Sequence, residues 1–138
     1  MKNNFFLTSS FLLYGMVALA QTTFTNIQSE NLPLPNGDTP YNIDSGIIDG
    51  NTSIDIVFGT YDGGSVFWMK NDGLGNFTLQ TEISTTLTTV ADVTIADVDG
   101  DGNNDVLASS YESDKLVWFQ NDGNGSFGTE IELSLIHI

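Results

Sequence analysis

The sequence contains no cysteine, a single histidine, and only three lysine and arginine residues against 18 aspartate and glutamate residues. Without cysteine, disulfide bonds cannot stabilise the fold, and no lipid-bearing cysteine can follow a leader peptide. The formal net charge of −15 argues against a nucleic-acid partner, because phosphate binding needs clustered lysine and arginine. Stability must therefore come from packing and from whatever neutralises the carboxylates.

The only long apolar run lies at the N-terminus and is typical of a secretion signal. Lys2 supplies a positive start, residues 5–19 form an apolar core, and Ala18-Leu19-Ala20 is a small-residue cleavage site. A retained transmembrane anchor is the alternative, but the core is short and is interrupted by hydroxyl residues. We expect cleavage after Ala20, secretion to the extracellular space or cell surface, and no membrane insertion of the mature chain.

The most distinctive internal segment is an acidic loop with glycine at alternate positions. Asp97, Asp99, Asp101 and Asp105 occupy positions 1, 3, 5 and 9 of this loop. Carboxylates so close together repel one another unless a divalent cation lies among them, and Ca²⁺, which takes about six to eight oxygen ligands, suits such a loop. A solvated acidic turn without metal is the alternative.

The segments on either side of the loop predict strands rather than helices. An EF-hand has helical flanks and a glutamate at its twelfth position, which here is Ala108. Residues 93–96 and 106–110 are small or β-branched apolar runs, which favour β-structure. We therefore expect a calcium loop between two antiparallel strands.

A second copy of the pattern lies 50 residues upstream, where residues 46–77 align without gaps on residues 96–127. In the upstream loop Ile47 replaces the first aspartate. The remaining oxygen-bearing side chains are those of Asp49, Asn51, Ser53 and Asp55. We expect this loop to bind metal weakly or not at all, although Asp44 could contribute if the loop shifted its register.

Each copy predicts four antiparallel strands, and no segment has helical periodicity. The third strands, expected at residues 65–71 and 116–121, are apolar on both faces, which indicates that both faces are covered. An Asp-Gly-x-Gly turn should then lead to a last strand that opens at Phe77 or Phe127. The predicted fold is all-β: two four-stranded antiparallel β-propeller blades and an N-terminal strand, an incomplete propeller.

Both copies resemble the FG-GAP or VCBS-type repeat, the blade of integrin alpha-subunit propellers and of many secreted bacterial proteins. The most specific matches are D-x-D-G-D-G-x-x-D at residues 97–105 and W-x-x-N-D-G-x-G-x-F at residues 118–127. The resemblance implies a calcium-binding propeller used in adhesion or recognition, sometimes attached to an enzyme. It further implies that Asp97, Asp99, Asp101 and Asp105 bind Ca²⁺ through their side chains and Asn103 through its backbone carbonyl.

The chain divides into a signal peptide (1–20), an N-terminal strand and linker (21–43), two blades (44–85 and 86–132) and a tail (133–138). Within the linker, residues 23–30 resemble the last strand of the first repeat. Two blades cannot close a ring, which takes about four or more. We expect either an oligomer or a fragment of a longer protein. The tail favours a fragment, because its codons could derive from a sequencing adapter; a genuine C-terminal strand is the alternative.

Catalysis is not expected. The single histidine, His137, lies in the doubtful tail, and no serine or lysine has a neighbouring base that would activate it. Paired carboxylates could support glycoside hydrolysis, but those assigned to a metal make poor general acids.

The expected partner is an extracellular protein or a glycan. The alternatives are a lectin-like propeller and the propeller part of a larger secreted enzyme. Trp68 and Trp118 could stack on sugars, but their apolar strands favour packing. Tyr61 and Tyr111, in turns, are better placed for ligand contact.

Overall fold

The computed structural model describes residue 34, residues 38–84 and residues 86–135. The predicted signal peptide, the predicted N-terminal strand at residues 23–30 and the last three residues of the tail lie outside the described residues. Eight β-strands form within the described part of the chain. It contains no helix that is long and apolar enough to cross a membrane.

The strands form two four-stranded antiparallel sheets, and in each sheet neighbours in sequence are neighbours in space. The first sheet consists of β1 (Pro40–Gly46), β2 (Asp55–Thr60), β3 (Val66–Asn71) and β4 (Phe77–Leu79). The second consists of β5 (Val90–Ala96), β6 (Asp105–Ser110), β7 (Lys115–Phe119) and β8 (Ile131–Leu135). The all-β prediction of two four-stranded blades is confirmed.

The internal repeat extends to the details of strand pairing. The register between β1 and β2 shifts between Pro40 and Asn42, and the register between β5 and β6 shifts at the equivalent place, between Val90 and Asp92. A shift of this kind bends a strand and increases its twist. The first two strands of each sheet are therefore copies in pairing geometry as well as in sequence.

The first strand begins earlier than the sequence division suggests. β1 starts at Pro40, within the segment assigned to the linker, and pairs there with Thr60. Proline lacks a backbone donor and is tolerated at the first residue of a strand or on an edge, and Pro40 occupies both positions.

The last strand of the second sheet begins later than predicted. Phe127 makes only an isolated bridge with Asn121, and the continuous ladder starts at Ile131, opposite Trp118. Gly128 replaces the Thr78 of β4, and glycine is unfavourable inside a strand. β8 also includes residues 133–135 of the tail, but an apolar segment pairs with an open edge whatever its origin, so the adapter hypothesis stays a prediction.

One cluster of buried apolar side chains draws on both sheets. Its members are Ile48, Val57, Val66, Trp68, Leu87, Val90, Val93, Val106, Ala108, Val117 and Phe119. β3 is buried on both faces, because Phe67 stacks on Phe58 with ring centroids 5.5 Å apart while Val66 and Trp68 join the shared cluster. β7 differs, since Val117 is buried and Leu116 only half-buried. The shared core fixes the position of the acidic loops, which leave the sheets at the ends of β1 and β5.

Candidate metal centre in the second acidic loop

The second acidic loop joins β5 to β6, and its last ligand candidate, Asp105, is the first residue of β6. Gly100 and Gly102 have φ values of 78° and 90°. This left-handed conformation is strained for residues with a Cβ, so the glycines allow the tight curl of the loop. The strand pattern of the two flanks thus places a glycine-broken loop at one end of the second sheet.

Three of the predicted ligands come together in this loop. Asp97, Asp99 and Asp105 each offer a carboxylate oxygen, and the three oxygens lie within 4.8 Å of one another. Ligand oxygens about 2.3–2.6 Å from a shared Ca²⁺ are separated by distances of this size. Asp97 and Asp99 are exposed and Asp105 is buried, so the triad opens to solvent on one side. The donor set, all carboxylate oxygen, fits a hard cation.

Backbone amides hold the carboxylates in place. The two oxygens of Asp97 accept hydrogen bonds from the backbone of Gly100 at 2.8 Å and of Gly102 at 3.1 Å. Asp101 instead accepts from the backbone and side-chain amides of Asn103, at 2.7 and 3.0 Å. Asp101 is not among the three carboxylates that come together, and its role as a ligand, like that of the Asn103 carbonyl, stays a prediction.

Asp105 also has a structural role that sequence reasoning missed. Its side chain is fully buried and accepts hydrogen bonds from the backbone of Val98 at 3.2 Å and of Asn121 at 2.8 Å. In the first repeat Asp55 does the same, with Ile48 at 3.0 Å and Asn71 at 2.8 Å. The signal in the sequence was the retention of this aspartate in the upstream loop, where the first-position ligand is lost.

The first acidic loop is organised differently. The Asp49 carboxylate forms an ion pair with Lys70 and accepts a hydrogen bond from the backbone of Asn51 at 3.2 Å. The side chain of Asn51 accepts from the backbone of Ser53 at 2.5 Å. Burial raises the pKa of Asp49, but these contacts with Lys70 and Asn51 outweigh it and lower that pKa below its usual value. Among the described residues, no group of three acidic side chains assembles in this loop.

The Asp44 carboxylate makes its hydrogen bonds with β5 and with its own strand, and its role as a ligand of the first loop stays a prediction. Its carboxylate accepts hydrogen bonds from the backbone of Ile95 at 2.8 Å and from the Thr94 hydroxyl at 3.0 Å, both on β5. It also accepts from the backbone of Ser45 at 2.8 Å. Burial raises the pKa of Asp44, and the three hydrogen bonds reverse that effect, so the pKa lies below its usual value. The Asp44 carboxylate thus joins the two sheets.

The asparagine of the second Asn-Asp-Gly turn also forms hydrogen bonds outside the turn. The Oδ1 of Asn121 accepts from the backbone of Gly123 and Gly125, both at 3.2 Å, as an asparagine turn requires. Its Nδ2 donates to the carbonyls of Asn104 at 2.8 Å and Ile48 at 2.7 Å. The second of these bonds joins the two repeats.

The two tryptophan side chains are buried or half-buried. Trp68 is 4% exposed, and its ring meets Phe127 edge-on with centroids 6.4 Å apart. Trp118 is half-buried. The tyrosines are more accessible. Tyr111 is 74% exposed and Tyr61 is 47% exposed. The ring centroid of Tyr61 lies 5.2 Å from that of Tyr41.

Two stacked antiparallel four-stranded sheets, each with an acidic loop after its first strand, define a propeller-blade repeat protein. An FG-GAP-like repeat family model matches residues 48–108 and residues 97–137. The chain belongs to the FG-GAP-like repeat family, which confirms the resemblance noted in the sequence. Searches of curated proteins and of solved structures gave no match.

Proposed function

We propose that this chain is a secreted, non-catalytic propeller segment that binds Ca²⁺ at residues 97–105 and serves in adhesion or recognition. The observation that carries the proposal is the approach of Asp97, Asp99 and Asp105 to within 4.8 Å of one another. Three carboxylates at this separation are unfavourable without a counter-ion and favourable around one.

The ion would act as a staple. The proposed side-chain ligands come from a single loop, so a bound cation neutralises their repulsion and fixes the connection between β5 and β6. The same loop touches the first repeat, because the Asn104 side chain donates to the Ile47 carbonyl at 2.9 Å. Ordering the loop therefore supports the contact between repeats as well as the hairpin.

Several features support a role without catalysis. Within the described residues there is no histidine, and the group of three carboxylates that comes together is the one assigned to the ion. The two lysines of the described part, Lys70 and Lys115, both pair with carboxylates, so neither is available as a nucleophile.

A lectin-like role is the second candidate, and the exposed aromatic rings favour it. Tyr41 is 63% exposed and lies against Tyr61, while Tyr111 stands in the equivalent turn of the second repeat. Exposed tyrosine rings present an apolar face and a hydroxyl, a combination that suits sugar recognition. A glycan array should show binding that Tyr61→Ala and Tyr111→Ala reduce. If no glycan binds, a protein partner is favoured.

Calcium titration by calorimetry tests the main proposal. On the chain lacking residues 1–20, one site should be observed, and Asp97→Ala should abolish it. Asp49→Ala, at the equivalent loop of the first repeat, should leave it nearly unchanged. Loss of the site in both variants would show that the loops have been ranked wrongly, and absence of any site in the parent would refute calcium binding. Mass spectrometry of the exported chain should place its first residue at Gln21.

A further inference from the structure

The first acidic loop is in contact with a cation from β3. The ammonium group of Lys70 lies against Oδ2 of Asp49, and the Asp49 side chain is only 3% exposed. Lys70 is one of only three lysine and arginine residues in a chain with 18 acidic residues. A random surface pairing is a poor explanation for a scarce cation placed on a nearly buried loop carboxylate.

The equivalent pair of positions is also in contact in the second loop. Gln120 stands 50 residues after Lys70, and its Nε2 donates to Oδ2 of Asp99, the counterpart of Asp49, at 2.6 Å. In each repeat a residue at the end of the third strand or directly after it thus places its side chain on the third position of the loop. The side chain is charged in the first repeat and neutral in the second.

The number of carboxylates in each loop differs, and so does the charge of the side chain that contacts the loop from the end of the third strand or directly after it. The first loop has two carboxylates, those of Asp49 and Asp55, and the Lys70 ammonium pairs with Asp49. The second loop has four carboxylates, and the other lysine of the described part, Lys115, pairs with Glu130 and Glu132 instead. A covalently attached ammonium suffices for one carboxylate, whereas a cluster of several needs a divalent ion.

We propose that the Lys70 ammonium takes the place of the divalent cation in the first loop, so that the first repeat keeps its loop without metal and the second does not. Only the statement about the second repeat rests on the proposed Ca²⁺ binding at residues 97–105. Lys70 is then the residue that decides metal dependence.

The position of the pair explains why a permanent cation is useful there. A Cβ added to Gly125 of the second repeat would lie 3.6 Å from the Cβ of Asp49, and one added to Gly50 would lie 2.7 Å from the Gly123 carbonyl oxygen. The first loop is thus the surface on which the turn of the second repeat docks. An internal ammonium keeps that surface formed when calcium is low.

Hydrogen exchange of the backbone, followed by mass spectrometry on the full mature chain, separates the two loops. In the parent, chelation with EDTA should speed exchange about tenfold or more in residues 97–105 and leave residues 47–54 unchanged. Equal acceleration of both loops would overturn the proposal, because the first loop would then also hold metal. If neither loop responds and no calcium binds, the proposed function fails while the role of Lys70 is still decided by the variants.

Two exchanged variants complete the test. Lys70→Gln, which copies the second repeat, should speed exchange in residues 47–54 both with and without calcium. Gln120→Lys should make residues 97–105 less sensitive to EDTA and weaken calcium binding about tenfold, because the ammonium competes for Asp99. Gln120→Met, similar in length and uncharged, is the control and should keep the parental response. If Lys70→Gln does not fold, Gln120→Lys remains decisive: calcium affinity equal to that of Gln120→Met would overturn the proposal.

Discussion

The side-chain amide of Asn121 donates a 2.7 Å hydrogen bond to the backbone carbonyl of Ile48, and this bond connects the Asn-Asp-Gly turn of one repeat with the loop of the other. Asn121 is 1% exposed and Ile48 is equally buried. The counterpart of Asn121 in the first repeat, Asn71, donates only within its own repeat, to Ile54 at 3.0 Å. At this repeat position, the asparagine of the second repeat therefore forms one additional hydrogen bond, which joins the two repeats.

Replacing Asn121 should cost more stability than replacing Asn71. Asn121→Ala leaves the buried carbonyl of Ile48 and the half-buried carbonyl of Asn104 without their donor, and a buried unsatisfied group costs about 1–3 kcal/mol. Asn71→Ala removes the equivalent bond at an exposed site, where water can replace it, so the loss should be about 1 kcal/mol. Urea unfolding of both variants measures the difference. Equal losses would mean that the bond to Ile48 contributes nothing to the contact between repeats.

Two glycines offer a matched test of the docking surface. Gly125 and Gly75 have φ values of 80° and 90°, so alanine is strained at both, by about 1–2 kcal/mol. A Cβ at Gly125 would also lie 2.5 Å from the Trp68 ring, whereas a Cβ at Gly75 meets nothing within 4 Å. Gly125→Ala should therefore destabilise the chain by about 1–3 kcal/mol more than Gly75→Ala, the cost of overpacking.

Thermal unfolding of the two glycine variants supplies the measurement. A larger loss for Gly75→Ala would contradict the placement of the turn on Trp68. In addition, the fluorescence of Trp68 should change in Gly125→Ala and stay the same in Gly75→Ala.

Asp105 should stabilise the chain even when no metal is bound. Asp105→Ala removes the acceptor of two backbone amides, those of Val98 and Asn121, and should cost about 2 kcal/mol or more in the presence of EDTA. Asp97→Ala, at an exposed carboxylate whose amide donors can turn to water, should cost less than about 1 kcal/mol under the same conditions.

Asp55→Ala is the control for the aspartate series, since Asp55 accepts the equivalent two bonds in the loop that lacks the triad. Its loss should match that of Asp105→Ala in EDTA and should not increase when calcium is present. If Asp105→Ala were harmless in EDTA, the buried aspartate would serve the ion alone.

The repeat was the part of the fold that sequence reasoning could establish. Its fixed 50-residue offset predicts four strands in each copy, and the alternation of glycine and aspartate predicts the curled loop. The start of β8 could not be read in the same way, because Phe127 keeps the sequence pattern while Gly128 weakens the strand that should follow. Strand ends depend on single residues and on the partner edge, so a shared motif does not transfer them.

That three acidic side chains of the second loop lie close together was likewise predictable, whereas the contacts around them were not. Spacing alone brings Asp97, Asp99 and Asp105 to one loop. The partners of Lys70 and Asp44 lie in other elements and depend on how the sheets stack, which no local pattern encodes. Asp44 is the example of this limit. It is close to the first loop in sequence, but its carboxylate accepts hydrogen bonds from residues of β5.

The contact of Asp44 with β5 should make stability depend on pH in the acid range. The hydrogen bonds from Ile95, Ser45 and Thr94 favour the ionised carboxyl and, despite burial, lower its pKa in the folded chain. A lowered pKa stabilises the fold fully above the unfolded-state pKa, about 4, and that stabilisation is lost as the pH falls through the lower, folded-state pKa. Asp44→Asn retains one acceptor oxygen but removes this titration.

The difference in unfolding free energy between the parent and Asp44→Asn should therefore be largest near pH 6 and should shrink below pH 4. Urea unfolding from about pH 6 to pH 3 in EDTA measures it, and taking the difference removes the titration of the other carboxylates, which both chains share. Chelation matters because the proposed calcium loop also responds to acid. A difference that stayed constant with pH would show that Asp44 joins the repeats through its shape alone and that its charge has no part in the contact.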